Sequence, residues 1–455
     1  MGSGAQDSRA RAVFLLSALA AARLLSSCTP APTEAPGTGG GADLGQATTV
    51  VTVTAASPET APQGTTVDVH VLGSGFDRGS RVDFLRDGVV DPKLRVNSST
   101  YRTGGELIAN LTVAVDALPS RYDIMVTTSS GKKGIGTERF AVEVPFQQLS
   151  APMAPAGVND VSETGFMAGE VGTPCQRGLA PAVWDPTGRI SLLPAVPGTC
   201  GGRARAVNRD GVVVGNAYFD AGGYVSARWT PGPGGYSVLK LPLLPGGTES
   251  TPYDINDAGA VGAGGAAAVW TEAGGWQMLS KPAGFDRCQT TYLNDLGQIA
   301  AACLIGSTDA RIVFWPSADA SPVVLPSPAG ATAAWPWGIN SAGVIAGYTD
   351  GAVQQAVRWV PSGNGWTVER LADLGNGGMA LGLNDAGYIV GQAINKNGTG
   401  RPVFWTPGGS LRELQSVRLD GKAYGISDGA NGLMIGGSVR TGKSVSDLIA
   451  VRWRP

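Results

Sequence analysis

Five aromatic residues, Tyr253, Tyr292, Trp335, Trp337 and Tyr424, stand just before the short apolar strands of a repeated motif. Aromatic side chains offer a large rigid face with a polar edge, which suits stacking on a sugar ring or gripping a peptide. Trp335-Pro336-Trp337 is the leading candidate, because two tryptophans flanking a proline do not easily share one buried face. Packing between repeats is the competing role for all five. Asp160 and Asp254 occupy a position that is Ala or Gly in most copies, which makes them candidates to line a channel, either solvated or holding a cation. Cys175, Cys200, Cys288 and Cys303 form an even set. Two disulfides are expected in place of a metal site, because no histidine and no Cys-x-x-Cys lies near them. The single histidine, His70, falls on the polar face of a strand. There is no Gly-x-Ser-x-Gly, no phosphate-cradling loop and no Ser/His/Asp set. The recurring Asn-Asp-x-Gly lacks the spaced oxygen ligands of a calcium loop and reads as a turn. No catalytic residue, metal or cofactor is assigned.

Composition restricts what these residues can belong to. The chain has 455 residues, only 15% charged, with 68 glycines and a formal net charge of −2. That balance gives no basic footprint for nucleic acid. Sparse charge with abundant Gly, Pro, Val and Thr fits an all-β chain rich in turns.

The N-terminus reads as an export signal over residues 1–28. Arg9 and Arg11 precede the apolar run Ala12 to Ala22, which is too short to span a bilayer. Leu25-Ser26-Ser27-Cys28 then resembles the bacterial lipobox, and the resemblance implies lipidation of Cys28 and a membrane anchor. Residues 29–48 form a Pro-, Gly-, Ala- and Thr-rich spacer. With Cys28 set aside, the remaining cysteines are even in number, as expected of an exported chain. The localisation this implies is extracytoplasmic: a lipoprotein of the cell envelope or surface, or else a secreted protein.

Residues 49–145 contain several short alternating strands, such as Thr65 to Leu72 with Val67, Val69 and Val71 on one face. About 100 residues of this kind read as a β-sandwich. Pro58, the strand running into Gly73-Ser74-Gly75-Phe76, and Arg121 to Val126 followed by Phe140-Ala141-Val142 resemble the immunoglobulin-like IPT/TIG family. Members of such a family serve as spacers or binding platforms.

From residue 146 to 455 one unit recurs seven times. Its first mark is a hairpin turn whose glycine is Gly165, Gly211, Gly259, Gly297, Gly343, Gly387 or Gly432. Asn208, Asn256, Asn294, Asn340 and Asn384 open five of these turns, and Ser162 and Ser427 open the first and last. The second mark is a tryptophan in a third strand: Trp184, Trp229, Trp270, Trp315, Trp359, Trp405 and Trp453, spaced 41 to 48 residues apart. The residue two before it is always Ala or Val, so tryptophan and a small partner share one strand face. Four strands per repeat of this length is the period of a propeller blade. The fold expected is an immunoglobulin-like sandwich followed by a seven-bladed β-propeller. Ala206 to Gly215, Gly382 to Gly391 and Val403-Phe404-Trp405 resemble the extracellular HAF repeat of bacterial surface and secreted proteins, although no repeat contains the histidine of that family's name.

Because the chain stops just after a third strand, Phe146 to Leu149 is expected to supply the missing outer strand of the last blade. The two kinds of loop that emerge on one propeller face carry the cysteines, which favours Cys175–Cys200 and Cys288–Cys303. Functionally, the sequence reads as a surface protein whose propeller binds a carbohydrate or protein, or acts as a scaffold. The alternative is a propeller hydrolase or lyase acting on an extracellular polysaccharide.

Overall fold

The computed structural model describes residues 50–455 apart from 176–177, 364, 418–419 and 430–431, so the export signal, Cys28 and the spacer lie outside the described residues. Among the described residues the secondary structure is almost entirely strand, with one single-turn helix at Val445–Asp447, and no helix is long and apolar enough to cross a membrane.

Two sheets precede the repeats. One orders Thr52–Ser57, Thr66–Ser74, Glu106–Val113 and Leu94–Thr103, and the other orders Thr60–Pro62, Lys133–Glu143, Arg121–Thr127, Arg81–Arg86 and Val89–Val90. Alternation turns Val69 and Val71 inward with Leu107, Ala109 and Leu111. They meet Phe84, Tyr122, Ile124 and Phe140 of the second sheet in one buried cluster. His70 points away from that cluster and lies 2.7 Å from Glu106.

After Phe146 come, among the described residues, seven four-stranded antiparallel sheets, numbered here from the one beginning at Ala156. Each packs its inner strand against the preceding sheet, and sheet 7 packs against sheet 1, so the sheets form a ring. Sheet 7 is built from both ends of the repeat region: Phe146–Gln148 pairs with Leu448–Trp453, Phe146 opposite Trp453.

Turn chemistry produces the innermost hairpins. The seven turn glycines have φ from 74° to 90°, a region that costs a residue with a Cβ. In five turns the Asn Oδ1 accepts the backbone N–H four residues on, at 2.9–3.0 Å. The same side chain also reaches across to the next sheet. Asn208, Asn256, Asn294, Asn340 and Asn384 each donate Nδ2–H to the backbone carbonyl of the matching residue one sheet on, at 2.8–3.2 Å. Ser162 has no amide to donate, and between sheets 1 and 2 the Thr164 hydroxyl donates to the Arg209 carbonyl instead.

The tryptophans carry the outer packing. Six of them are fully buried, and Trp270 is nearly so. Trp229 of sheet 2 packs on Ala168 and Val183 of sheet 1, and Trp315 of sheet 4 packs on Val269 of sheet 3. The residue before one tryptophan thus cushions the next tryptophan along the ring. Six of the indoles also tie their sheet to the connection that enters it. Trp184, Trp229, Trp315, Trp359, Trp405 and Trp453 donate Nε1–H to the carbonyls of Ser150, Pro194, Ser280, Pro326, Ala372 and Gln415 at 2.8–3.0 Å. In sheet 3 Trp276 of the outer strand makes this bond, to Pro242, in place of Trp270.

The N-terminal sheets join the ring at sheet 6. Val144 bridges Leu414 in parallel fashion beside the outer strand Leu411–Glu413. Arg401 contacts both Glu143 and Glu413, and Arg121 reaches Glu413 at 2.6 Å. Both carboxylates are almost completely buried.

Candidate functional site

All seven inner strands run in the same direction around the axis. Six of them are Ala156–Val161, Gly202–Val207, Thr251–Ile255, Arg287–Leu293, Ala333–Ile339 and Gly375–Leu383, and the seventh is Asp420–Ile426. Each breaks register with its neighbour at the same place, leaving out Asn159, Arg205, Tyr253, the pair Thr290 and Thr291, Trp337, Leu381 or Tyr424. A β-bulge adds a residue to one strand and re-aims its side chain. Here that redirects one side chain per sheet toward the axis. The bulge needs close backbone approach. A Cβ on Gly215, Gly347, Gly391 or Gly437 of the second strand would lie 1.9–2.0 Å from the carbonyl oxygen of Arg203, Trp335, Met379 or Lys422. In those four sheets the glycine that ends runs such as Val212-Val213-Val214-Gly215 is what admits the bulge, whereas in sheet 3 Ala263 stands at that position and the bulge at Tyr253 forms beside it.

The result is an axial cavity of about 530 Å³, and Tyr253, Tyr292, Trp335, Trp337 and Tyr424 all line it. The sequence pattern placed these residues ahead of the inner strands. The structure places them within the strands, because pairing continues on both sides of the bulge. Trp337 and Tyr424 lie with ring centroids 6.4 Å apart, although sheet 6 separates their sheets in the ring. Tyr253 and Tyr292 are 6.2 Å apart. Tyr292 is buried in the packing between sheets 4 and 5, and Trp335 is anchored by its Nε1–H to Asp350 Oδ2 at 2.8 Å. Tyr253, Trp337 and Tyr424 remain half-buried in the cavity lining. Sequence reasoning missed Asn159, Arg205 and Leu381. They occupy the Tyr253 position of their own repeats, and that shared position was the available signal. Arg205 sits over the Tyr253 ring at 5.2 Å and donates Nε–H to Asn216 Oδ1.

Asp160 and Asp254 also line the cavity. Each ties one sheet to the next: Asp160 accepts the Val207 N–H at 2.9 Å, and Asp254 accepts the Leu293 N–H at 3.0 Å. Burial, reinforced by the charge of Asp254, pushes the Asp160 carboxyl up to about 7, and burial pushes Asp254 up to about 6. These carboxyls hold protons in the folded chain at a pH where the unfolded chain, near 3.8, has lost them. Their contribution to stability is complete at low pH and is lost as pH rises through 6 to 7. The melting temperature is accordingly expected to fall between about pH 4 and pH 7. Asp160→Asn, which keeps an acceptor for Val207, flattens that slope; calorimetry across pH checks it, and an unchanged slope contradicts the assignment.

The hairpin turns bring Glu163, Asp257, Asp295 and Asp385 to the cavity lining, with Asp428 beside Glu163 and Asp385. Carboxylate oxygens of Glu163, Asp257 and Asp295, and of Glu163, Asp385 and Asp428, lie within 4.8 Å of one another, close enough to share a cation. Arg209 already brings a positive charge there, 2.9 Å from both Glu163 and Asp257. Asp257, Asp295, Asp385 and Asp428 each accept a turn N–H from the preceding sheet, which gives them a structural role. With the chain's one histidine in the N-terminal sheets, no imidazole base faces the cavity.

Among the described residues two disulfides form, Cys175–Cys200 and Cys288–Cys303. The first clips a loop within sheet 1 to the connection entering sheet 2. The second differs from the loop placement that the sequence suggested for Cys288. Cys288 belongs to the inner strand and lies directly opposite Cys303, because that strand begins earlier than its turn motif implies. Two disulfides fit an oxidising, extracytoplasmic compartment.

No protein-family model matches the chain, and no curated protein matches it. Among solved structures it is similar to a puromycin hydrolase, at 13% identity and a TM-score of 0.44 over 66% of this chain and 53% of that one. It is similar to YCF48 bound to D1 peptide, at 14% identity and a TM-score of 0.44 over 68% and 96%. A third is TolB from Acinetobacter baumannii, at 12% identity and a TM-score of 0.34 over 77% and 66%. The chain thus spans about half the length of the hydrolase. These neighbours are β-propeller proteins, and at such identities the likeness concerns the fold alone.

Proposed function

We propose that this is an exported binding protein, anchored through a lipid on Cys28, that displays a seven-bladed propeller of the HAF-repeat kind. The sheets at residues 49–145 are read as an immunoglobulin-like, IPT/TIG-like spacer between anchor and propeller. The ligand, a glycan or a protein segment, enters the axial cavity from the end where the inner strands begin. One observation carries this reading: the inner-strand bulges turn Tyr253, Trp337 and Tyr424 toward one cavity, where all three stay only half-buried.

Trp337→Ala and Tyr424→Ala are each expected to weaken capture on glycan or peptide arrays by about tenfold, the loss of one stacked aromatic face. Retained capture by the Trp335→Ala, Trp337→Ala double variant would falsify the axial site. Cys28→Ala is expected to move the protein from the detergent phase to the aqueous phase in phase partitioning. Persistence in the detergent phase removes the anchor from the proposal.

A second reading, a hydrolase or lyase acting on an extracellular polysaccharide, draws support from Asp160, whose carboxyl holds a proton near neutral pH as a general acid must. Turnover of a captured glycan that is abolished by Asp160→Asn distinguishes it from binding alone.

A further inference from the structure

The charges around the axial cavity are unevenly partnered. Among the described residues lining it, the three arginines are each engaged by the protein itself. Arg203 faces Glu170 at 3.8 Å, Arg205 lies over Tyr253, and Arg209 bridges Glu163 and Asp257. Asp160 and Asp254 have no such partner. They accept backbone N–H groups only and form no salt bridge among the described residues. Two carboxylates therefore face the cavity without a cation.

The aromatic rings stand immediately above them. Tyr253 precedes Asp254 by one residue, and Trp337 and Tyr424 hold the equivalent position in sheets 5 and 7. The Trp337 and Tyr424 planes are inclined by 38°. Arg205 on Tyr253 shows that a ring of this layer accepts a guanidinium. The acidic turn residues follow the ends of the inner strands, Asp257 three residues past Asp254.

We infer that the axial cavity takes the cationic side chain of a lysine or arginine presented by a polypeptide, with its stem against Trp337 and Tyr424 and its charged head on Asp254 and Asp160. This rests on the proposal that ligands enter the axial mouth, and it names their chemistry. A neutral sugar laid over the rings would return no charge to these desolvated carboxyls, so either of them when ionised would stay unpaired, which is costly. An ammonium or guanidinium restores both charge and hydrogen bonds, and the rings attract the same cation through their faces. A cavity of about 530 Å³ accommodates such a side chain with its flanking backbone.

The test titrates the full chain, followed by tryptophan fluorescence and calorimetry, with four probes. These are acetyl-Gly-Gly-Lys-Gly-Gly-amide, its arginine counterpart, its norleucine isostere and neutral cellohexaose. The lysine and arginine peptides are expected to bind saturably, and the norleucine peptide about tenfold more weakly or not at all. Binding is expected to weaken as salt rises from about 50 to 300 mM. Asp254→Asn keeps an acceptor for the Leu293 N–H and is expected to cost about tenfold in peptide affinity with no loss of melting temperature. Trp337→Ala is expected to cost a similar factor.

Equal binding of the norleucine peptide, or unchanged affinity in Asp254→Asn, overturns the inference. So does silence from all four probes. Cellohexaose binding that is lost in Trp337→Ala, without peptide binding, overturns the cationic ligand but leaves the axial site standing. Peptide binding that survives Trp337→Ala removes both.

Discussion

Trp405→Ala is expected to destabilise the repeat ring by about 3–5 kcal/mol, as truncation of a large, fully buried aromatic does. Trp405 is completely inaccessible and packs on Ala346 and Ala356 of sheet 5 as well as Ala380, Ile389 and Val403 of its own sheet. Small residues line the receiving face, so neighbouring side chains cannot swing in to fill the space. The cavity term therefore adds to the lost transfer energy. The indole also satisfies the Ala372 carbonyl at 2.8 Å. Trp405→Phe separates the two effects, because it keeps most of the packing and is expected to cost about 1–3 kcal/mol for the orphaned carbonyl and the lost ring volume. Denaturant unfolding followed by the remaining tryptophans measures both. An alanine variant within 1 kcal/mol of the parent would mean that the sheets are not held by this wedge.

Arg401→Ala is expected to cost a comparable amount, about 3–5 kcal/mol, by a different mechanism. Glu143 comes from the last strand of the N-terminal sheets and Glu413 from the outer strand of sheet 6, with side chains only 3% exposed. Arg401 lies between them, and without it two desolvated carboxylates face each other with Arg121 as the remaining nearby cation. The penalty comes from charges left unpaired and does not measure the worth of the intact pairs. Replacing Glu143, Arg401 and Glu413 together by Leu, Met and Leu is accordingly expected to recover most of the loss. Calorimetry supplies a second readout. Arg401→Ala is expected to split one transition into two as the N-terminal sheets and the ring uncouple. A single unshifted transition is the result that contradicts this role.

These two predictions differ in how far the sequence foretold them. The tryptophan ladder was readable, because alternation along a strand is local and Trp with Ala or Val two residues before it repeats in every unit. The ion network was not. Arg401 and Glu143 are 258 residues apart, and no local pattern marks two chain segments that meet only after the ring has formed. The hydrogen bonds from indole to connection were unreadable for the same reason, as was the substitution of Trp276 for Trp270 in sheet 3. The cysteine pairs fall between, since strand order alone brings each pair to one end of the sheets.

For the candidate site, the sequence by itself determined which residue types recur at one position of the unit, and that their turns demand Asn or Ser followed by a left-handed glycine. Those features depend on dihedral preferences and on hydrogen bonds spanning only a few residues. Tertiary structure decided that the position is a bulge, that Gly215, Gly347, Gly391 and Gly437 leave room for it in their sheets, and that Tyr253, Trp337 and Tyr424 from three separate sheets face one cavity with Asp160 and Asp254. A bulge is a mismatch between two strands, and an axis exists only once the ring is closed, so neither is written in any one stretch of chain.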